Sequence, residues 1–128
     1  MQKDFEIFKK EIIKVLEEKK DFIALKDYLT DDFYLENEYH KDFDPENPDK
    51  TYFKYDGNKE NLKIISEQIS IDMLLFVLKK GEVIFYPPLV TVSSDKVKDS
   101  PEKCPTIDFK YNEKKKKWGI EYIRFLRL

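Results

Sequence analysis

The chain reads as one α+β domain, with N-terminal helices packed on one face of a curved antiparallel sheet that a C-terminal β-hairpin closes. Three observations predict this class. Apolar residues recur at helical spacing early on, at Phe5, Phe8, Ile12 and Leu16 and again at Leu62, Ile65 and Ile69. The pattern then changes to alternation, with Ile107, Phe109 and Tyr111 separated by Asp108 and Lys110. A polar turn, Asn112 to Lys117, leads into the only tryptophan, Trp118, at the start of the last strand. Helices first and strands after is an α+β ordering. A length of 128 residues suits a single domain, here 1–128.

The first helix covers residues 4–19, where Ile13 and Val15 widen the apolar stripe and Lys and Glu fill the other face. Asp4 is placed to cap its start, and Lys19-Lys20 suit the negative end of its dipole. Phe22, Leu25, Tyr28 and Leu29 give a second, short helix capped by Asp21 and stopped by Thr30-Asp31-Asp32. A strand is expected to start at Phe33-Tyr34-Leu35. Residues 36–58 form a polar loop broken by Pro45, Pro48 and Gly57, with a short strand over Thr51–Tyr55. Loops of this length in a compact domain are usually functional or mobile. Asn58 caps the third helix.

Residues 70–81 predict a fourth helix. Ser70 has the chemistry of an N-cap, Gly81 follows Lys79-Lys80, and Ile71, Leu74, Leu75 and Leu78 recur at helical spacing. A buried strand through Leu74–Leu78 competes, because period alone does not resolve a short apolar run. Glu82–Tyr86 and Leu89–Val92 read as strands. Pro87-Pro88 between them marks an edge, a bulge or a bend. Residues 93–105 form a polar loop. In the last strand Trp118, Ile120 and Tyr122 face one side. Ile123 and Phe125 break that alternation, so this end is buried on both faces or carries a bulge.

Composition narrows the function classes. Lys and Arg total 24 against 26 Asp and Glu, for a net charge of −2, which describes a mixed surface and disfavours nucleic-acid binding. Arg124 and Arg127 are the only arginines, so bidentate base contacts are scarce as well. No apolar window is long enough for a membrane span. With Met1 as the natural start the expected compartment is the cytoplasm; a removed signal segment would make the protein an exported one. Cys104 stands alone, so no internal disulfide forms, and it reads as a small, partly buried hydrophobe rather than a nucleophile.

Several segments together resemble the nuclear transport factor-like superfamily. Phe5, Phe8, Lys20 to Leu25 and Tyr28 to Phe33 are similar to its opening helices and first strand. Tyr55-Asp56-Gly57-Asn58 with Leu62 and Ile65 looks like its third helix, and Phe109 to Ile120 resembles its closing hairpin. The resemblance implies a cone of helices closed by a curved sheet, often with an internal pocket and often dimeric. A helix at 70–80 and the length of the loop at 36–54 depart from it. A cystatin-like packing of helices on one antiparallel sheet accounts for the same pattern.

His40, the only histidine, has the ordinary pKa nearest neutrality, but its place between Tyr39 and Lys41 in a polar loop reads as solvent-exposed. Asp42, Asp44, Glu46 and Asp49 alternate as in a calcium loop, yet the sixth position lacks Gly and the twelfth is Phe53 instead of Glu, so no metal is expected. Asp31, Asp32, Glu36 and Glu38 form a second acidic run, with capping and solvation as the plain reading and a cationic partner as the other. Aromatic residues carry the best lead. Tyr34, Tyr39, Tyr52, Phe53 and Tyr55, with Phe33, flank the long loop, and Tyr86 sits beside the Pro87-Pro88 kink. The expected function is a small binding or interaction domain without catalytic activity and without a cofactor. Its partner would be a protein, a peptide or a second copy in a homodimer, met by Tyr34, Tyr39, His40, Tyr52, Phe53, Tyr55 and Tyr86. The alternative is a small pocket enzyme of the isomerase or hydrolase-like kind, using His40 or a buried carboxylate such as Asp32.

Overall fold

A computed structural model describes residues 2–126, without the side chains of Pro48 and Asp49. Arg127, and the side chain of Asp49 in the acidic loop, therefore lie outside what the structure describes. Helix α1 (Gln2–Lys19) buries Phe5, Ile12 and Leu16 along one stripe, as the spacing requires. It starts two residues earlier than expected, so Asp4 sits inside the first turn, where its negative charge complements the positive end of the dipole, rather than at the cap. Residues Phe22–Tyr28 form a 3-10 helix rather than an α-helix, and the Asp21 side chain accepts from the N–H of Ile23 at 3.0 Å.

Strand β1 (Leu29–Asn37) begins four residues before Phe33, with Thr30-Asp31-Asp32 inside it. Pairing overrides the polar stop signal here, because Leu29 already lies opposite Ile120 of the last strand. Strand β2 (Tyr52–Lys54) returns antiparallel to β1, with Leu35 opposite Phe53. Helix α2 (Lys59–Ser66) is capped by Asn58, whose side chain accepts from Glu60 N at 2.8 Å. Ile69 is buried beyond the end of α2, on a following turn.

The ambiguous segment is helix α3 (Ile71–Lys80). The Ser70 hydroxyl accepts from Met73 N, and Gly81 N–H donates to Val77 O at 2.8 Å. Both ends satisfy backbone groups that a helix leaves open, and this decides for helix over strand. Strands β3 (Glu82–Tyr86) and β4 (Leu89–Ser93) form a hairpin whose two-residue turn is the cis Pro87–Pro88 pair. Strands β5 (Thr106–Asn112) and β6 (Lys117–Phe125) form the closing hairpin.

The six strands lie in the order β2-β1-β6-β5-β4-β3, and the sheet is open. It is mixed rather than purely antiparallel, because β1 and β6 run parallel. A parallel pair needs a long connection between its strands, and here the whole middle of the chain supplies it. The helices cover one face. Under them the Phe5 ring meets Phe85, Phe109 and Trp118 edge-on at centroid distances of 5.7, 5.1 and 5.3 Å. One ring thus ties α1 to three strands, and all of its surface is buried.

A bulge corrects the expected face of β6. Asp108 pairs with Tyr122 and Phe109 with Ile120, so Glu121 has no opposite number. Trp118 and Ile120 point into the core before the bulge, and Ile123 and Phe125 do so after it. The extra residue turns Tyr122 and Arg124 to the opposite face, so Tyr122 does not share a side with Trp118.

Candidate functional site

The face of the sheet away from the helices carries a continuous run of aromatic and polar side chains. Alternation in β1 sends Phe33 and Leu35 inward and Tyr34 outward. The bulge sends Tyr122 and Arg124 to the same side. The rings of Tyr34 and Tyr122 stack at 3.8 Å with an interplanar angle of 23°, and Tyr52 lies 5.7 Å from Tyr34 on the neighbouring strand. The guanidinium of Arg124 sits 4.9 Å from the centre of the Tyr122 ring. Its Nη2 lies 3.5 Å from both carboxylate oxygens of Asp108, and Thr91 Oγ1 donates to Asp108 Oδ1 at 2.8 Å. The run Tyr52, Tyr34, Tyr122, Arg124, Asp108 and Thr91 therefore crosses five strands.

Glu36 anchors the aromatic end. Its side chain is buried and takes a hydrogen bond from the Tyr52 hydroxyl. That bond, followed by burial, raises the Tyr52 pKa above 10.0. Burial first, and then the charge of Glu36 and the neighbouring Tyr34, push the Tyr122 phenol above the same value. The folded protein thus keeps protons on these phenols at a pH where the unfolded chain has lost them. The associated stability is complete below about pH 10 and is lost as pH rises through the folded-state values. Melting temperature is expected to fall as pH rises above about 10, and less steeply in Tyr122→Phe. Equal slopes in the two proteins would show that this phenol is not the group responsible.

Arg124 has donor capacity left over. Among the described residues, its Nε and Trp118 Nε1 are buried nitrogens without a hydrogen-bond partner. Beside the guanidinium a cleft of about 250 Å³ opens at the end of the sheet, lined in part by Tyr39, Ser94, Ser100, Cys104 and Thr106. Ser94 and Ser100 share a hydrogen bond of 2.9 Å, and Lys103 Nζ lies 5.1 Å from the centre of the Tyr39 ring. Cys104 is half-buried at this cleft, with its thiol free.

The residues expected at the site separate into groups. Tyr34 and Tyr52 meet on the open face, and Tyr39 reaches the cleft next to Arg124. Phe53 and Tyr55 turn inward and pack against the core. His40 is half-buried rather than solvent-exposed, with its ring 5.3 Å from Phe53 and Nδ1 accepting the N–H of Asp42 at 3.2 Å. Its surroundings are those of a loop-packing residue. Tyr86 is 77% exposed on β3, at the other edge of the sheet from β2. The acidic run disperses along β1: Asp31 and Asp32 are exposed beside Lys115 and Lys54, while Glu36 is buried. Asp32 is therefore not the buried carboxylate that a pocket enzyme would use. Among the described residues, no three His, Cys, Asp or Glu side chains converge as metal ligands. No helix of the described residues is long and apolar enough to cross a membrane.

Sequence reading missed Tyr122, Arg124 and Asp108. The available signal was the break in alternation at Ile123, which admits a bulge but does not place it. No family model, curated protein or solved structure matches the chain.

Proposed function

We propose that this domain is a non-enzymatic binding module whose open sheet face receives a protein or peptide. The observation that carries this reading is the contiguous cluster of Tyr34, Tyr52, Tyr122 and Arg124 on an uncovered sheet. Tyr and Arg are the residues most enriched among those that dominate binding energy, because they combine large rigid contact area with directional donors. The packed helix-side interior, filled by Phe5, Phe109 and Trp118, favours surface binding over pocket chemistry. Helices ahead of a sheet with a closing C-terminal hairpin also support keeping the nuclear transport factor-like resemblance as part of the proposal.

A photo-reactive phenylalanine placed at Tyr52 tests the reading in cells. Discrete adducts are expected from that position and not from Ile64, which is 50% exposed on α2. With the captured partner purified, Arg124→Ala is expected to weaken binding by more than about 2 kcal/mol, or roughly 30-fold. Equal adduct formation from both positions would overturn the proposal. A small metabolite that raises the melting temperature, worth about 2.7 kcal/mol at 100 times its dissociation constant, would favour the pocket-enzyme alternative.

A further inference from the structure

We propose that two copies of the chain join through their β3 edges, forming one continuous sheet across a twofold axis at Ile84. This does not rest on the binding role of the Tyr34 face, which lies at the other end of the sheet. Strand β3 is an edge strand with one long side open. Edge strands are normally blunted by lysine, by a bulge or by shortness. Here the strand reads Glu-Val-Ile-Phe-Tyr, has no lysine and pairs with β4 in unbroken register over five residue pairs. Its outer face exposes Ile84 at 44% and Tyr86 at 77%, and the first residue of β4, Leu89, is exposed at 40%.

The hydrogen-bonding groups on the open side can be assigned. Tyr111 N–H donates to Pro88 O at 2.9 Å, flanking the pair Leu89 and Lys110. Leu89 therefore turns its own peptide groups toward β3 and bonds Tyr86 across the two-residue turn. Alternation then directs the peptide groups of Ile84 and Glu82 to β4 as well, and those of Val83 and Phe85 to the open side.

A second copy is the occupant that fits this pattern. Antiparallel pairing centred on Ile84 sets Val83 opposite Phe85 of the other copy, and both carry outward donors and acceptors. Each such pair exchanges two hydrogen bonds, and the axis generates the pair twice. Ile84 meets its own copy at a non-hydrogen-bonded position, where side chains approach closest. Glu82, the only charged residue of β3, then faces the hydroxyl-bearing Tyr86 and not another carboxylate. Shifts of register by two residues pair fewer residues, and a larger shift sets Glu82 against itself.

Sedimentation equilibrium from about 10 µM to about 1 mM, the range of weak self-association, gives the first test. The mass is expected to rise from 15.5 kDa toward twice that value. Ile84→Lys places two like charges on the axis and is expected to weaken association at least about tenfold while the circular dichroism spectrum is unchanged. Ile84→Cys in a Cys104→Ser background gives an independent test that needs no loss of stability. Mild oxidation is expected to yield a covalent dimer, and Thr91→Cys in the same background is expected to stay monomeric. A wild-type mass that stays at 15.5 kDa throughout, or an Ile84→Cys protein that crosslinks no better than Thr91→Cys, overturns the proposal. Either result would leave the edge to a foreign strand.

Discussion

Phe5→Ala is expected to lower folding stability by about 3–5 kcal/mol, the cost of emptying a large aromatic site in a packed core. The ring is wholly buried and meets Phe85, Phe109 and Trp118 edge-on. Its removal leaves a cavity where α1 crosses three strands, and it deletes aromatic pairs worth about 0.5–1.5 kcal/mol each beyond their buried area. Total stability for a domain of this size is about 5–15 kcal/mol, so the variant would retain a small margin. Urea unfolding is the direct measurement, with a lowered midpoint and an unchanged slope. The melting temperature should fall by about 10–20 °C. Ile7→Ala, at a position 66% exposed on the same helix, should stay within about 0.5 kcal/mol of wild type. A loss below about 1 kcal/mol for Phe5→Ala would mean that the helix is not anchored through this ring.

Gly81→Ala tests a different mechanism and has an informative sign. At an unstrained position this change stabilises a protein by about 0.4–1 kcal/mol, because it restricts the unfolded chain. The backbone of Gly81 is unstrained, with φ at −65°. Space is the obstacle. An added Cβ would stand 2.5 Å from Val77 O, 2.8 Å from Val92 Cγ1 and 3.1 Å from Ser93 O. Val77 O accepts the N–H of Gly81, so it cannot retreat without weakening the end of α3. The expected result is a destabilisation of about 1–3 kcal/mol, typical of overpacking. Thermal unfolding that shows a gain would mean that the α3–β3 junction relaxes easily.

The helices were legible because each signal was local. The stripe of Phe5, Ile12 and Leu16, and the caps at Asn58 and Ser70, depend only on near neighbours in the chain. Gly81 likewise marked the end of α3 through one short-range hydrogen bond. Features set by distant partners were not legible. Strand β1 extends back to Leu29 because Ile120, far along the chain, pairs with it. The same limit governs the site. Tyr34 and Tyr52 could be picked out as aromatics beside a loop, but their meeting with Tyr122 depends on the bulge at Glu121. One unpaired residue changed the face of Tyr122 and Arg124, and single-strand alternation cannot count residues on the opposing strand. Residue type and neighbouring sequence single out His40 and Tyr86, but the fold carries them to separate places.

The parallel pairing of β1 with β6 has a consequence for how the chain is made. The last strand in chain order occupies an inner place in the sheet, between β1 and β5. Until it emerges, a nascent chain has two separate pieces, a β1–β2 ribbon and a three-strand β3-β4-β5 sheet, each with a bare inner seam. Helices can form on the ribosome, since their contacts are local, but the pairing of Leu35 with Ile123 must wait until β6 has been made. Unpaired seams of this kind are where partly folded chains associate with one another. Synthesis halted before Trp118 would therefore yield an aggregation-prone fragment, although it contains α1 to α3 and β1 to β5.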